Sequence, residues 1–317
     1  MVVAGLKSWS VSKLLVLDGN SVLHRAYYAL PDWRNRSGEA TAGVYGFLSM
    51  MFKAIEELKP THLTVVFDTP QPTFRHMMYV GYQTNREKDR QISEDIWSQV
   101  EKLKTVMEKF GVPVFSLEGF EADDLAGTLS KQAEDEGYEV VMITGDKDYM
   151  QLVDKKVKLY MPQKGLSDGV IVDTKGVVEK LGVKPEQVVE YKALVGDSSD
   201  NYPGVTGVGP KTAQTLLAKY KDFDEMYKNL GKIDEKTRKK LVDGHDGGAL
   251  SRKLAVIRRD APVTWKAKEA EAPSEKKILE VLKELNYRSL IRRMGGEASG
   301  PSSTSGADSG GQGGLFD

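Results

Sequence analysis

Aspartate residues stand where three predicted strands end. The apolar runs LLVLD and HLTVVFD end at Asp18 and Asp68, and the run EVVMIT is followed by Asp146 and Asp148. In an open sheet of parallel strands, functional groups gather beyond the carboxyl ends of the strands. These four carboxylates are therefore expected to meet at one edge of a sheet.

Two further acidic clusters lie at the ends of predicted helices. Glu121, Asp123 and Asp124 begin one helix, and Asp197 and Asp200 follow another. Taken alone, either cluster also fits a structural role, because acidic residues complement helix N-termini and form caps and turns. The number of clusters assigned to the same edge favours a functional one.

The nine carboxylates pose an electrostatic problem. So many like charges cannot ionise side by side without strong cationic compensation, and no matching set of lysines accompanies them in the sequence. Oxygen-only ligands favour Mg²⁺ or Mn²⁺ over zinc. The pattern therefore predicts two divalent ions, roughly 3.5–4 Å apart, that would activate water and stabilise the leaving oxygen in phosphodiester hydrolysis.

The first 200 residues alternate short apolar runs with longer helical patterns. This alternation predicts an α/β fold in which helices cover both faces of a parallel sheet. The predicted strands are Leu14–Asp18, His62–Asp68, Val112–Phe115, Glu139–Thr144 and Val157–Met161. The predicted helices are Ala42–Leu58, Ser93–Phe110 and Asp123–Glu136. From about residue 174 onward, short helices replace the strand pattern.

Composition narrows the class of protein. The 317 residues are 40% apolar and 29% charged, as in ordinary globular proteins, and the absence of cysteine excludes disulfides and zinc–thiolate sites. With no apolar run of membrane-spanning length and no signal peptide, we expect a cytosolic protein without a membrane partner. Net charge is −6 over 1–202, +8 over 203–294 and −3 over 295–317. That asymmetry fits an acidic site beside a surface for polyanions, although a well-solvated lysine-rich segment would look the same.

A glycine-rich turn is the second strong indication of function in the sequence. Gly207 and Gly209 permit a tight turn, and Pro210 suits the first position of a helix. Free backbone N–H groups there, with Lys211 and Thr212 beside them, would bind a phosphate. Between two helices, this turn favours a sequence-independent grip on duplex DNA over a small-molecule phosphate site.

The segment 74–90, FRHMMYVGYQTNREKDR, interleaves aromatic and basic residues. Aromatic platforms with cations suit single-stranded nucleic acid, but a half-buried amphipathic helix would look similar. Arg25, shortly after Asp18, is a further candidate contact for phosphate, or it simply packs.

The motifs together closely resemble the bacterial 5′ nucleases, which include the 5′→3′ exonuclease domain of DNA polymerase I and the flap endonucleases. The resemblance runs from Leu14 to Arg293 and implies a PIN-like α/β domain, a helical arch at about 73–110, and a helix–three-turn–helix element that grips duplex DNA. The motifs are LVLDGNSVLHRAYYAL, VYGF, VVFD, FRHMMYVGYQTNR, EGFEADDLAGTL, ITGDKDYMQLV and LVGDSSDNYPGVTGVGPKTA.

Carried over residue by residue, the resemblance implies two catalytic metal clusters. The first cluster comprises Asp18, Asp68, Glu121, Asp123 and Asp124. The second cluster comprises Asp146, Asp148, Asp197 and Asp200. It also implies a K⁺ ion on backbone carbonyls of the loop at 203–213.

In the arch, the resemblance implies that Arg75 and Arg86 contact the scissile phosphate and the single strand, with Tyr82 in the same motif. One position departs from the family, which usually has Tyr-Lys-x-Asn-Arg where this chain has YQTNR. Gln83 cannot supply the charge of that lysine, and a lost cation at a transition state costs about 2–4 kcal/mol. Slower cleavage is therefore expected, with Lys88 as a partial substitute.

These features predict a Mg²⁺-dependent, structure-specific 5′ nuclease that acts on 5′ flaps and 5′ ends during primer removal and repair. A branched-DNA-binding protein with weak or no cleavage is the alternative, motivated by Gln83. An RNase H-like or PIN ribonuclease is a second alternative, which the duplex-gripping turn disfavours. A monomer that works at the bacterial nucleoid is expected.

Boundaries follow from composition. An N-terminal extension (1–12) precedes the predicted nuclease domain (13–185). The next segment is a predicted helical DNA-binding part (186–294), which contains the helix–hairpin–helix at 203–217. A Gly/Ser-rich tether (295–317) follows. Because no polymerase sequence follows, we expect a stand-alone nuclease or a piece of a longer protein. The final residues Gln312, Leu315 and Phe316 resemble the peptide by which bacterial replication proteins dock on the sliding clamp.

Overall fold

A computed structural model describes residues 12–35, 37–85, 90–163 and 169–295 of the chain. Six strands form one sheet in the order β3-β2-β1-β4-β5-β6, with β1 to β5 parallel and β6 antiparallel to β5. The strands are Lys13–Asp18 (β1), His62–Val66 (β2), Val114–Phe115 (β3), Glu139–Ile143 (β4), Val157–Pro162 (β5) and Gly169–Val172 (β6).

All five predicted strands are present, and the sixth was missed. The segment Gly169–Val172 is four residues long, and its middle residues Val170 and Ile171 are about two-fifths exposed. An edge strand of this kind lacks both the buried run and the strict alternation that mark strands in a sequence. The sheet is therefore mixed rather than purely parallel.

The central position of β1 fixes where the acidic loops meet. Asp18 in β1 pairs with Val66 of β2, and Leu17 pairs with Ile143 of β4. The order of the strands reverses at β1, because the chain moves to one side for β2 and β3 and to the other for β4 and β5. Loops that leave the carboxyl ends of β1, β2 and β4 thus share one edge, as the sequence predicted.

Side chains of the strands alternate between two hydrophobic cores, one on each face of the sheet. In β1, Leu14 and Val16 belong to one core, and Leu15 and Leu17 belong to the other. The predicted coverage of both faces is confirmed. The helices are Gly19–Ala29 (α1), Ala42–Leu58 (α2), Phe74–Met78 (α3), Arg90–Phe110 (α4), Ala122–Asp135 (α5), Thr174–Leu181 (α6), Val188–Val195 (α7), Pro210–Leu217 (α8), Phe223–Lys228 (α9), Glu235–Asp243 (α10), His245–Ala255 (α11), Glu275–Glu284 (α12) and Arg288–Arg293 (α13).

The C-terminal helices do not form one separate unit. Helices α7 to α10 contribute to the core on the α5 face, whereas Ile278 and Leu282 of α12 and Leu290 of α13 lie in the core on the α2 and α4 face. Residue Glu271 also forms a bridge with His62 at the start of β2. The sequence-based helical part, 186–294, is therefore divided between the two faces of the sheet. Among the described helices, none has the length and apolar character that a membrane crossing requires.

Candidate metal centre and nucleic-acid interface

The first group of carboxylates gathers at the ends of β1 and β2 and at the start of α5. Asp18 is 5% exposed; its Oδ1 accepts a hydrogen bond from the Ser21 amide at 3.0 Å, and its Oδ2 accepts one from the Thr144 hydroxyl at 2.7 Å. Asp68 accepts from the backbone N–H of Ala122, the first residue of α5, at 2.7 Å. The first turn of α5 is thereby fixed against the strand ends and carries the acidic cluster.

Arg75 lies at the centre of this group and is only 1% exposed. Its Nη1 donates to Glu121 at 3.1 Å, and both Nη atoms donate to Asp124, at 2.8 and 2.9 Å. Its remaining donors bond to the carbonyls of Leu254 and Val256, at 2.9 and 2.7 Å. The prediction that Arg75 contacts DNA does not fit this placement, because all its donors are engaged inside the protein.

Asp124 is fully enclosed, and both of its oxygens are already satisfied. Besides Arg75, Oδ1 accepts from the backbone amide of Arg258 at 2.8 Å, and Oδ2 accepts from that of Glu121 at 3.2 Å. Its exposed fraction is 0%. A carboxylate with four donors and no exposed surface has no oxygen to offer an ion, so the assignment of Asp124 as a metal ligand does not fit the structure.

The second group surrounds the end of α7. Asp148, Asp197 and Asp200 each offer one oxygen within 4.8 Å of the others. Asp146 belongs to the same loop as Asp148 and accepts a hydrogen bond from its amide at 2.8 Å. Lys192, on α7, makes ion pairs with Asp148 and Asp197. Three carboxylates this close together are compatible with metal binding.

Two cations, Lys192 and Arg75, do lie among the carboxylates, although no matching set of lysines was found in the sequence. The side chain of Lys192 is 13% exposed. Burial opposes its charged form, but Asp148 and its acidic neighbours outweigh burial and raise the pKa of Lys192 above its usual range. Lys192 lies in α7, and Asp197 lies beyond the end of that helix at Gly196. Their pairing depends on the turn at Gly196, so helical spacing in the sequence does not predict it.

A turn at 79–85 connects the two groups. The hydroxyl of Tyr82 donates to Glu121 at 3.1 Å and to Asp200 at 3.4 Å. Gln83 donates from its backbone to the carbonyl of Asp200 at 2.9 Å, and its Nε2 donates to Asp200 Oδ1 at 3.1 Å. The predicted DNA-contacting residues Tyr82 and Gln83 thus bond to carboxylates here, and Tyr82 is buried.

Two amide side chains also hold the turn at 79–85 against residues 198–201. Asn201 donates to the carbonyl of Gly81 at 2.8 Å and to the hydroxyl of Thr84 at 2.9 Å. Asn85 donates to the carbonyl of Ser198. Gln83 and Asn201 both have positive φ angles, +55° and +56°. The predicted contacts Arg86 and Lys88 lie outside the described residues.

Burial dominates the electrostatics of both groups. It raises the pKa of Asp18, Glu121 and Asp148 to about 7, and it raises the pKa of Asp123 well above its usual value. Burial also pushes the pKa of Asp197 upward, but Lys192 and backbone amides outweigh it and the pKa falls below its usual value. Two cations therefore do not compensate the carboxylates fully, and the site retains affinity for added positive charge.

Buried polar atoms without a hydrogen-bond partner concentrate at the same place. Among the described residues, the buried side-chain atoms without one include Thr69 Oγ1, Asp123 Oδ1, and the hydroxyls of Tyr149 and Tyr202. Thr69 follows Asp68 directly, and Tyr149 follows Asp148. Buried polar groups are normally satisfied, so these atoms fit a centre that is completed by an ion and its water. Oxygen donors of this kind suit a hard divalent cation.

A helical hairpin lies beside the second group. Helices α7 and α8 are joined by a loop in which Gly204 and Gly207 have positive φ angles, +64° and +79°. A Cβ at Gly204 would lie 2.2 Å from the backbone nitrogen of Gly196, so only glycine fits. The predicted contacts Gly207, Gly209 and Lys211 are exposed, and Thr212 is partly exposed. The loop therefore presents backbone amides and a lysine to solvent.

Basic side chains extend this surface. A cavity of about 390 Å³ beside α8 is lined by Lys211, Lys219 and Lys232. Lys240 donates to the carbonyl of Gly207 at 2.7 Å and so fixes the tip of the loop. Arg25, the other predicted contact, is partly exposed and donates to the carbonyl of Gln163. Basic side chains of the positively charged segment 203–294 thus lie around the hairpin.

Two family models match consecutive parts of the chain. Residues 13–182 match the 5′–3′ exonuclease N-terminal resolvase-like domain, and residues 183–277 match the 5′–3′ exonuclease C-terminal SAM fold. The chain belongs to the 5′–3′ exonuclease family, as the sequence motifs predicted.

Known relatives agree with this assignment. The chain is 37% identical to DNA polymerase I of Caldicellulosiruptor bescii over 287 residues and 38% identical to that of Bacillus subtilis over 293 residues. These matches cover 89% and 90% of the chain but only 33% of either polymerase. The chain thus corresponds to about a third of the length of these relatives.

The fold also matches a solved structure. The bacteriophage T5 D15 flap endonuclease, crystallised as a pseudo-enzyme-product complex with DNA and metal ions, superposes with a TM-score of 0.64 at 17% identity. The match covers 89% of this chain and 97% of the T5 chain. At this identity the likeness establishes the mixed α/β fold.

Proposed function

We propose that the chain is a metal-dependent, structure-specific 5′ nuclease that hydrolyses DNA phosphodiesters at 5′ flaps and 5′ ends. The observation that carries this proposal is the pair of carboxylate groups, most of them at least partly buried, at the sheet edge where the strand order reverses. The raised pKa values of Asp18 and Asp148 and the unpartnered Asp123 Oδ1 favour bound cations, and a basic helical hairpin lies next to the second group. Family membership supports the same reaction.

Two divalent ions, Mg²⁺ or Mn²⁺, would be held by separate ligand sets. Asp18, Asp68, Glu121 and Asp123 would hold the first ion. Asp146, Asp148, Asp197 and Asp200 would hold the second. When bound, such ions supply activated water and charge stabilisation for the leaving oxygen. Arg75 would contribute by fixing Glu121 in place.

The hairpin of α7 and α8 would bind the duplex part of the substrate as a helix–three-turn–helix element. Its exposed amides and Lys211 suit one phosphate, and Lys219 and Lys232 suit neighbouring phosphates. Contacts of this kind position DNA without reading its sequence. A K⁺ ion on loop carbonyls belongs to the same proposal.

A labelled 5′-flap substrate tests the proposed activity. We expect cleavage near the junction when Mg²⁺ is added, binding without cleavage in EDTA, and little cleavage of single-stranded RNA. Flap binding that persists with Mg²⁺ but yields no product would support the second candidate, a branched-DNA-binding protein. That candidate is motivated by Gln83, whose amide bonds to Asp200 and supplies no positive charge.

The cellular setting follows from the activity. Primer removal and repair at the bacterial nucleoid, in the cytoplasm, would supply 5′ flaps, and a monomer suffices to bind them. Docking on the sliding clamp through Gln312, Leu315 and Phe316, which lie outside the described residues, remains a proposal. A peptide of residues 308–317 should bind the clamp with a dissociation constant of micromolar order or weaker, and replacing Leu315 and Phe316 by alanine should abolish binding.

A further inference from the structure

The hydroxyl of Tyr149 is a buried donor without an acceptor. The residue is 1% exposed, and in the described part of the chain its hydroxyl has no hydrogen-bond partner. Leaving such a group unsatisfied destabilises the fold. A phenylalanine would fill the same space without this cost, so packing alone does not explain the hydroxyl.

The backbone around Tyr149 fixes where the ring lies. Tyr149 belongs to a short 3-10 helix, Asp148–Leu152, that begins at a carboxylate of the second group. Gln151 anchors this helix by donating to the carbonyl of Ala255 and accepting from the amide of Ile257, both at 2.9 Å. The ring is therefore held in the core beneath the acidic edge and has little freedom to find another partner.

Tyr149 directly follows Asp148 of the second group, and it lies in the same buried core as Ala122 at the start of α5, where the first group is placed. Burial raises the pKa of the Tyr149 phenol well above its usual value, and the carboxylates of Asp18, Asp123 and Asp146 add to this rise. Asp123 Oδ1, itself buried, also lacks a hydrogen-bond partner. Two unsatisfied polar atoms thus lie in the same acidic environment, and water held by a bound ion is the group that can satisfy both.

We propose that Tyr149 is a positioning residue of the metal centre, whose hydroxyl donates a hydrogen bond to water held by a bound divalent ion. This inference rests on the metal-binding part of the proposed function. The donor orients that water and is satisfied only when the ion is present. It touches no substrate, so its effect is on ion affinity and on the order of the centre.

The substitution Tyr149→Phe tests this inference, because it removes only the hydroxyl. The melting temperature of the variant in EDTA should equal or exceed that of the wild type, since an unsatisfied group is lost. Its Mn²⁺ dissociation constant, measured by electron paramagnetic resonance, should rise by about 3- to 10-fold, as for the loss of one hydrogen bond. Adding Ca²⁺ should raise its melting temperature by less than that of the wild type.

Tyr227→Phe is the matched control. The Tyr227 hydroxyl donates to the carbonyl of Leu241 at 2.6 Å, in the helical part of the chain. Its loss should lower the melting temperature equally with and without Ca²⁺ and leave the Mn²⁺ dissociation constant unchanged.

Distinct outcomes separate the failure of this inference from that of the proposed function. Wild-type protein that binds no Mn²⁺ would overturn the metal centre, and Tyr149 with it. Normal Mn²⁺ binding by the wild type and equal binding by Tyr149→Phe would overturn the role of Tyr149 alone. The role of Tyr149 would also be overturned if Tyr149→Phe had a lower melting temperature than the wild type in EDTA, as the control is expected to have. Such a loss would mean that the Tyr149 hydroxyl has a hydrogen-bond partner when no ion is bound.

Discussion

The two carboxylate groups differ in how firmly each internal cation is held. Arg75 makes five hydrogen bonds, two of them to backbone carbonyls, and its side chain is 2% exposed. Lys192 pairs with two carboxylates and is 13% exposed. Arg75 is therefore held by the fold on all sides, whereas Lys192 is held by carboxylates that we propose as metal ligands. We expect Lys192, but not Arg75, to move away when an ion binds.

The largest expected effect concerns the ligands of the second group. Replacing Asp197 or Asp200 by asparagine should reduce flap cleavage by at least about 100-fold, because a missing ligand displaces an ion from the reaction centre. Flap affinity in Ca²⁺ should change by no more than a few-fold, since the basic hairpin lies elsewhere. Single-turnover cleavage and fluorescence anisotropy measure the two quantities. Cleavage within a few-fold of wild type at saturating Mg²⁺ would remove these residues from the centre.

Removing Arg75 and Lys192 in turn tests whether the two carboxylate groups hold their cations differently. Arg75→Ala should lower the free energy of unfolding by about 3–5 kcal/mol, because it leaves buried carboxylates uncompensated. Lys192→Met should cost less in EDTA, about 1.5–3 kcal/mol, and most of this loss should be recovered in Ca²⁺. Denaturant titrations with and without Ca²⁺ measure both variants. Equal recovery by the two variants would mean that the groups do not differ in this way.

The third prediction is a pH dependence of the metal-free protein. A carboxyl whose folded-state pKa is raised stabilises the fold below its unfolded pKa, near 4, and this contribution is lost as pH rises through the folded value. For Asp18, Glu121 and Asp148 that value is about 7.

In EDTA, the melting temperature should therefore fall as pH rises from about 5 to about 8. Saturating Ca²⁺ should remove most of this fall, because the bound ion stabilises the ionised carboxylates. Calcium affinity should weaken as pH drops below about 7, since protons compete for the ligands. A melting temperature with the same pH profile in EDTA and in Ca²⁺ would contradict these assignments.

The smallest effect is expected at the turn that joins the groups. Gln83→Ala removes one hydrogen bond to Asp200 and should cost about 0.5–1.5 kcal/mol. Amide hydrogen exchange over 79–85 and 197–201 should become faster, while exchange in α2 stays unchanged. The control is Asn35→Ala, which removes side-chain bonds to Glu39 elsewhere on the surface. Unchanged exchange over both segments would show that Gln83 does not hold the turn.

The sequence predicted what depends on local pattern. Five strands and the three named helices were found, and the shared edge of Asp18, Asp68 and Asp146 followed from strand order in α/β sheets. The edge strand Gly169–Val172 was not predicted, because half of its residues are exposed and it lacks a buried apolar run.

Roles that depend on long-range packing were not predictable from local pattern. From its own segment, Arg75 is predicted to be an exposed residue of the arch. In the structure it is enclosed because the backbone carbonyls of Leu254 and Val256, about 180 residues further along the chain, accept its hydrogen bonds. Asp124 looks like its neighbour Asp123 in sequence. The difference arises because neighbouring residues of a helix point about 100° apart. Asp124 therefore bonds to Arg75 and to the Arg258 amide.

Anomalous scattering from crystals grown with Mn²⁺ tests the central claim most directly. We expect two ions, one bound by residues of the first group without Asp124, and one bound by the second group. Lys192 should have moved away from that second ion. The second group comprises Asp146, Asp148, Asp197 and Asp200. Arg75 should keep its bonds to Asp124 with both ions present. The absence of bound Mn²⁺ at these carboxylates, or an ion coordinated by Asp124 with Lys192 unmoved, would contradict the account.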